Sequence, residues 1–127
     1  MKIEVKRFDS PDGSRIFSKG KFELLSTGGT TVGRASYAPG WKWSEHVGPS
    51  VGEKSCKVEH VCMVVSGRAM IAMDDGTQVE VKPGDVFYVP PGHDSWVLGD
   101  EPYVSLHFLG SEHYAETKTE RHRSSLG

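Results

Sequence analysis

The stretch at residues 83–93, PGDVFYVPPGH, constrains what this chain can fold into more than any other. Pro83-Gly84-Asp85 breaks one strand and opens a turn, and Pro90-Pro91-Gly92 ends the next strand with His93 directly behind it. Proline fixes φ and removes a backbone donor, and glycine admits positive φ, so local chemistry bounds the β-prone residues 86–89 on both sides. A strand framed in this way holds its exit histidine still, which suits a metal ligand or a general base.

The same punctuation recurs along the chain, which carries 15 Gly and 7 Pro. Residues 3–7 alternate apolar and charged side chains, the pattern of a half-buried strand. Residues 21–26 and 30–37 are two more, with Thr27-Gly28-Gly29 turning between them. Residues 41–47 follow Pro39-Gly40, and residues 47–55, VGPSVGEKS, read as a loop. Residues 60–65 and 68–73 flank Ser66-Gly67, and Asp74-Asp75-Gly76 predicts a hairpin into residues 77–81. Residues 86–89, 95–98 and 103–109 bring the set to about ten short strands, which favours an all-β sandwich or barrel over an α/β fold. A chain of 127 residues fits one domain, here residues 1–115, and the polar, doubly charged residues 116–127 read as a tail.

Composition narrows the partners. Lys and Arg total 15 against 17 Asp and Glu, a formal net charge of −2, which argues against nucleic acid or an anionic membrane surface as the main partner. No apolar run approaches the roughly 18 residues of a membrane helix, and the N-terminus lacks a signal peptide's apolar core, so the expected compartment is the cytoplasm. Cys56 and Cys62 stand six apart. On one extended strand their Cα atoms would lie roughly 20 Å apart, beyond disulfide reach, so both read as free thiols. No P-loop, dinucleotide glycine fingerprint or Gly-x-Ser-x-Gly elbow is present.

Six histidines are available, and His46, His60, His93 and His107 lie in or beside expected strands, whereas His113 and His122 sit near the polar end and read as solvated. Residues two apart on a strand share a face, so Cys56, Val58, His60, Cys62 and Val64 align, as do Phe87, Val89, Pro91, His93 and Ser95. A face carrying Cys56 and His60 is unusual for a plain core, because a buried imidazole needs a partner. His107 reads as a core or pocket-lining residue, and Asp94 can orient His93 or cap its turn. Trp41, Trp43 and Trp96 can floor a pocket or pack the core. Glu45 and Glu53 read as surface carboxylates. Cys56 and His60, on one extended strand, would stand roughly 13 Å apart at Cα, too far for direct proton transfer.

These residues resemble the two motifs of the cupins. The second motif runs Gly, five residues, Pro-x-Gly, two residues, His; Gly84, Pro90 and Gly92 fill it, Ser95 stands at the final place, and His93 comes two residues early. In the first motif, His-x-His, then Glu, then six residues and Gly, Gly67 fits the closing place and His60 stands where the Glu falls. Cys56 and Lys54 occupy the His-x-His places, and His46 is a further candidate if residues 47–55 are an insertion. The resemblance implies an antiparallel jelly-roll β-barrel. It also implies a metal site drawn from His46, Cys56, His60 and His93, binding a divalent transition metal (Zn, Fe, Ni or Mn) and a small organic ligand. Three neutral imidazoles with an open position suit such an ion, and a thiolate favours zinc. Metal-dependent dioxygenase, isomerase or lyase chemistry is the expected function, with a metal-free ligand-binding or sensing barrel as the alternative. The resemblance further implies a homodimer, with the strand at residues 3–7 packing across the interface.

Overall fold

Hairpin chemistry organises the chain. In the computed structural model, which describes residues 2–116, β1 (Gly13–Phe17), β2 (Gly20–Thr27) and β3 (Thr30–Tyr37) form an antiparallel meander. Gly28 and Gly29, both at positive φ (57° and 77°), make the two-residue turn that a twisted hairpin requires. β4 (His60–Ser66) turns at Gly67 into β5 (Arg68–Met73). Gly67 has φ 74°, and a Cβ there would stand 2.3 Å from the Pro102 carbonyl, so the position needs glycine for two separate reasons. β6 (Gln78–Val81), β7 (Val86–Val89), β8 (His93–Leu98) and β9 (Tyr103–Leu109) complete the strands.

The strands pair into a six-stranded sheet, ordered β1-β2-β3-β9-β4-β7, and a three-stranded sheet, ordered β6-β5-β8. Every pairing is antiparallel. The result is an all-β jelly-roll barrel. Its inner faces meet in a core that includes Phe22, Ala35, Tyr37, Val64, Ala69, Val81, Val97 and Tyr103. Two single helical turns, α1 (Trp43–His46) and α2 (Gly48–Val51), lay Trp43, Val47 and Val51 over that core.

Several expected segments differ, residues 47–55 among them: read as a loop, they carry the α2 turn. Residues 3–7 form no strand: Ile3 and Val5 are 95% and 81% exposed. The segment is held by side chains instead, with Glu4 Oε1 accepting from the Gly28 N–H (2.8 Å) and Lys6 Nζ paired with Asp12 (2.9 Å). The first strand lies later, at β1. Residues 41–47 form no strand: Lys42 makes only an isolated bridge to Trp96, and the chain then turns into α1, with the Lys42 carbonyl accepting from the His46 N–H (2.9 Å) and that of Trp43 from the Val47 N–H (2.9 Å). Glu116, read as the start of a tail, is buried and lies 3.9 Å from Arg15 Nη2; residues 117–127 are outside the described residues. No helix among the described residues is long and apolar enough to cross a membrane.

A candidate metal centre of cysteine and histidine

β4 begins at His60, and its burial alternates so that His60, Cys62 and Val64 point inward. β8 begins at His93, whose side chain points inward with those of Ser95 and Val97 on the same strand face. The histidine two residues early therefore keeps the inward face. Cys56 precedes β4 on a short bridge to His93. The Cys56 N–H donates to the His93 carbonyl (2.7 Å) and the Gly92 N–H donates to the Cys56 carbonyl (2.7 Å). The chain bends between Cys56 and His60 instead of running straight, so Cys56 Sγ comes 3.5 Å from His60 Nε2. The separation expected of one extended strand does not hold, because β4 starts only at His60.

One potential ligand atom from each of Cys56, His60 and His93 lies within 4.8 Å of the others, and all three residues are buried. Zn–S near 2.3 Å and Zn–N near 2.05 Å at a tetrahedral angle put the two donor atoms about 3.5 Å apart, which is the Cys56–His60 separation observed. His93 Nδ1 donates to the Pro90 carbonyl (2.8 Å), which leaves Nε2 as the free donor atom. His60 Nδ1 is buried without a hydrogen-bond partner. The donor set therefore fits a borderline-soft divalent ion: one imidazole oriented by a carbonyl, a second imidazole and one thiol.

Burial sets the protonation states. It pushes the His60 imidazole down to about 2, with His107 and His93 adding to the shift. It pushes His107 down to about 3, and His93 downward as well, although the Pro90 carbonyl works against the shift at His93. All three are neutral at physiological pH and have no proton to displace. The Cys56 thiol is pushed up to about 12 by burial, against a backbone hydrogen bond at Val58 and the charge of Lys57. Metal binding there must release a thiol proton.

His46 is not brought to this group. Its Nδ1 accepts from the Lys42 N–H (2.9 Å), and it lines a separate surface pocket. His107 instead stands beside His60, with ring centroids 5.1 Å apart and Nε2 on Ser105 Oγ (3.1 Å). Asp94 ties α1 to β8, since Oδ1 accepts from the Ser44 N–H (3.0 Å) and the Ser95 N–H (2.9 Å). Trp41 lines the cavity, stacked on Tyr37 at 3.7 Å, whereas Lys42 lies over Trp96. Sequence reasoning missed Tyr37 and Tyr114, whose hydroxyls share a short hydrogen bond at the cavity wall. An aromatic residue beside an otherwise polar C-terminus was the available signal for Tyr114.

An antiparallel jelly-roll barrel with histidines on its inner face is the form that the cupin motifs imply. The chain belongs to the EutQ-like cupin domain family, whose family model matches residues 37–104. No curated protein matches the chain. Among solved structures, it resembles a protein of unknown function from Rhizobium leguminosarum bv. viciae (22% identity, 84% of this chain and 95% of that one, TM-score 0.55). It also resembles a cupin-like protein from Thermotoga maritima (20% identity, 87% and 84%, TM-score 0.54). A third is the polyketide cyclase RemF from Streptomyces resistomycificus (18% identity, 84% and 78%, TM-score 0.57). At these identities the likeness is one of fold.

Proposed function

We propose that this cupin holds a divalent transition metal on Cys56, His60 and His93 and binds a small ligand in the adjoining barrel cavity. The observation that carries the reading is the convergence of three buried donor atoms from the bridge at Cys56 and the first residues of β4 and β8. The thiolate favours zinc over manganese among the ions considered. When bound, the ion supplies a Lewis acid for an oxygen ligand. The chain's own part is to orient. Pro90 fixes the His93 ring, the Cys56–His93 bridge sets the spacing of two ligands, and Trp41, Phe87 and Tyr103 keep the cavity apolar around them. Ser95 and Ser105 hydroxyls are the polar groups beside the imidazoles.

Adding zinc to metal-stripped protein tests the reading. At about a hundred times Kd, binding contributes about 2.7 kcal/mol, a rise in Tm on the order of 10 °C for a domain of this size. His60→Ala should weaken the ion by roughly 100-fold or more, since each ligand carries a sizeable share of the binding energy. His46→Ala should leave binding unchanged, because His46 stands in a different pocket. If native protein contains no transition metal, and zinc, iron, nickel and manganese all leave Tm unchanged, a metal-free ligand-binding barrel takes its place.

A homodimer belongs to the same proposal. The outward residues of β4, β7 and β9 include Val65, Val86, Tyr88 and Phe108, all substantially exposed, with Val61, Met63, Val104 and Leu106 between them and no charged side chain. An apolar face of this kind is the support for a second copy, which needs about 800 Å² per partner. Light scattering should give twice the mass of one chain, and Phe108→Lys should return it to one. A wild-type monomer at working concentration removes the dimer.

A further inference from the structure

Two neighbouring residues near the C-terminus face different spaces. Tyr114 lines the histidine cavity, which holds about 40 Å³, and Ala115 lines an open surface pocket of about 690 Å³ that also takes in Arg15, Phe17 and His46. Tyr114 is 3% exposed, and its ring centroid lies 5.1 Å from that of His60 and 5.5 Å from that of His107. Beside it Tyr37 and Trp41 face the cavity, with Phe17 behind them at 6.0 and 6.4 Å on the side of the outer pocket. These aromatic rings form the partition between the two spaces, and Tyr114 is the member supplied from beyond the last strand, β9.

The turn carrying Tyr114 is strapped in place. Arg15 Nη1 donates to the Tyr114 carbonyl (2.7 Å), and Nη2 donates to that of Glu112 (2.9 Å). Gly110, at φ 84°, lets the chain leave β9 close against the barrel; a Cβ there would stand 2.2 Å from the Glu59 carbonyl. Ser111 Oγ donates to the His107 carbonyl (2.8 Å), and the Tyr114 hydroxyl is joined to that of Tyr37.

We propose that Tyr114 sets the size limit for what reaches the Cys56–His60–His93 group, and that the wild-type cavity takes a small ligand such as azide and excludes one the size of imidazole. The proposal rests on the metal-site reading for its chemistry and on the partition for its limit. The histidine cavity has about 40 Å³ of space, against about 690 Å³ in the outer pocket. The charge balance narrows the class further. The lining carries imidazoles, hydroxyls, a thiol and apolar groups but no Lys, Arg, Asp or Glu. A divalent ion with one thiolate leaves a single positive charge, which one small monoanion balances. A second charge would be buried without a partner. Azide meets both conditions, whereas imidazole is too large.

The test uses the full chain loaded with cobalt(II), read by its visible absorption. Azide should shift the wild-type spectrum and imidazole should not at equal concentration. Tyr114→Ala should respond to imidazole at a concentration lower by about tenfold or more, while Tyr114→Phe, which keeps the ring, should behave as wild type. Imidazole acting on the wild type as readily as azide, or no gain in Tyr114→Ala, overturns the proposal. Tyr114→Leu serves if the alanine variant does not fold. If no thiolate-to-cobalt charge-transfer band forms in the wild type, the metal reading fails and the partition is read without metal. Iodoacetamide should then alkylate Cys62, which lines the cavity, about tenfold faster in Tyr114→Ala than in the wild type. Val97→Ala, a core truncation in the other sheet, controls for lost stability. Equal rates in Tyr114→Ala and this control overturn the partition.

Discussion

Metal-free protein should lose stability steeply as pH falls below about 6.5, the value of a histidine in the unfolded chain. His60, His93 and His107 are all shifted downward by burial, His60 to about 2 and His107 to about 3. A group whose folded value is depressed contributes fully above its unfolded value and loses that contribution as pH falls toward the folded one. Over that window the unfolded chain takes up protons that the native chain refuses. Between pH 7 and pH 5 the loss is about 2 kcal/mol for each such histidine, hence about 4 kcal/mol for His60 and His107 together, with His93 acting in the same direction. Domains of this kind are stable by about 5–15 kcal/mol, so the loss is a large part of the total. Denaturant melts at pH 7, 6 and 5 should show the midpoint falling at each step. An unchanged midpoint would contradict the burial of neutral imidazoles.

Phe22→Ala should destabilise the chain by about 3–5 kcal/mol, the range for truncating a fully buried aromatic ring. Phe22 is fully buried, with its ring 4.6 Å from Tyr114 and 5.0 Å from His107. Its volume is matched by a glycine: a Cβ at Gly33 would stand 2.2 Å from Phe22 Cζ. The two positions are therefore coupled, and Gly33→Ala should also destabilise, by overpacking in place of a void. Urea melts of Phe22→Ala, Gly33→Ala and the double variant measure the coupling directly. The double variant should lose less than the sum of the single ones. Strict additivity would mean that the ring and the glycine do not share space.

The barrel was legible in the sequence where turns are written in residue types that admit few conformations. β5, β7 and β9 have the expected bounds because Gly67, Asp75-Gly76, Pro83-Gly84 and Pro90 stop them sharply. Residues 3–7 misled because alternation reports the possibility of a half-buried face, not the presence of a neighbouring strand to pair with. Residues 41–47 misled for the opposite reason: Trp41, Trp43 and Val47 are all buried, but they reach the core from a helical turn after Pro39-Gly40. Helix and strand periods are indistinguishable over so few residues.

The site was legible by strand parity and lost where parity stops. His60 and Cys62 share the inner face of β4, and His93 and Ser95 that of β8, as their spacing implies. The approach of Cys56 to His60 depends on a bend at residues 57–59 that no propensity marks. His46 was admitted because nothing in sequence spacing shows that a helical turn carries it to a different pocket. His107 lies in a run of apolar neighbours, where alternation could not choose its face; its pairing with Gly33 and Cys62 does so.

The bridge between Cys56 and His93 has a consequence for substitutions at either position. Its hydrogen bonds run entirely through main-chain atoms, so it places two donor positions without reference to the side chains they carry. A substitution at either position changes which atom is offered to an ion and leaves the place of offering intact. Under the proposed metal reading, the backbone sets where the donors stand and the side chains set which ion they suit.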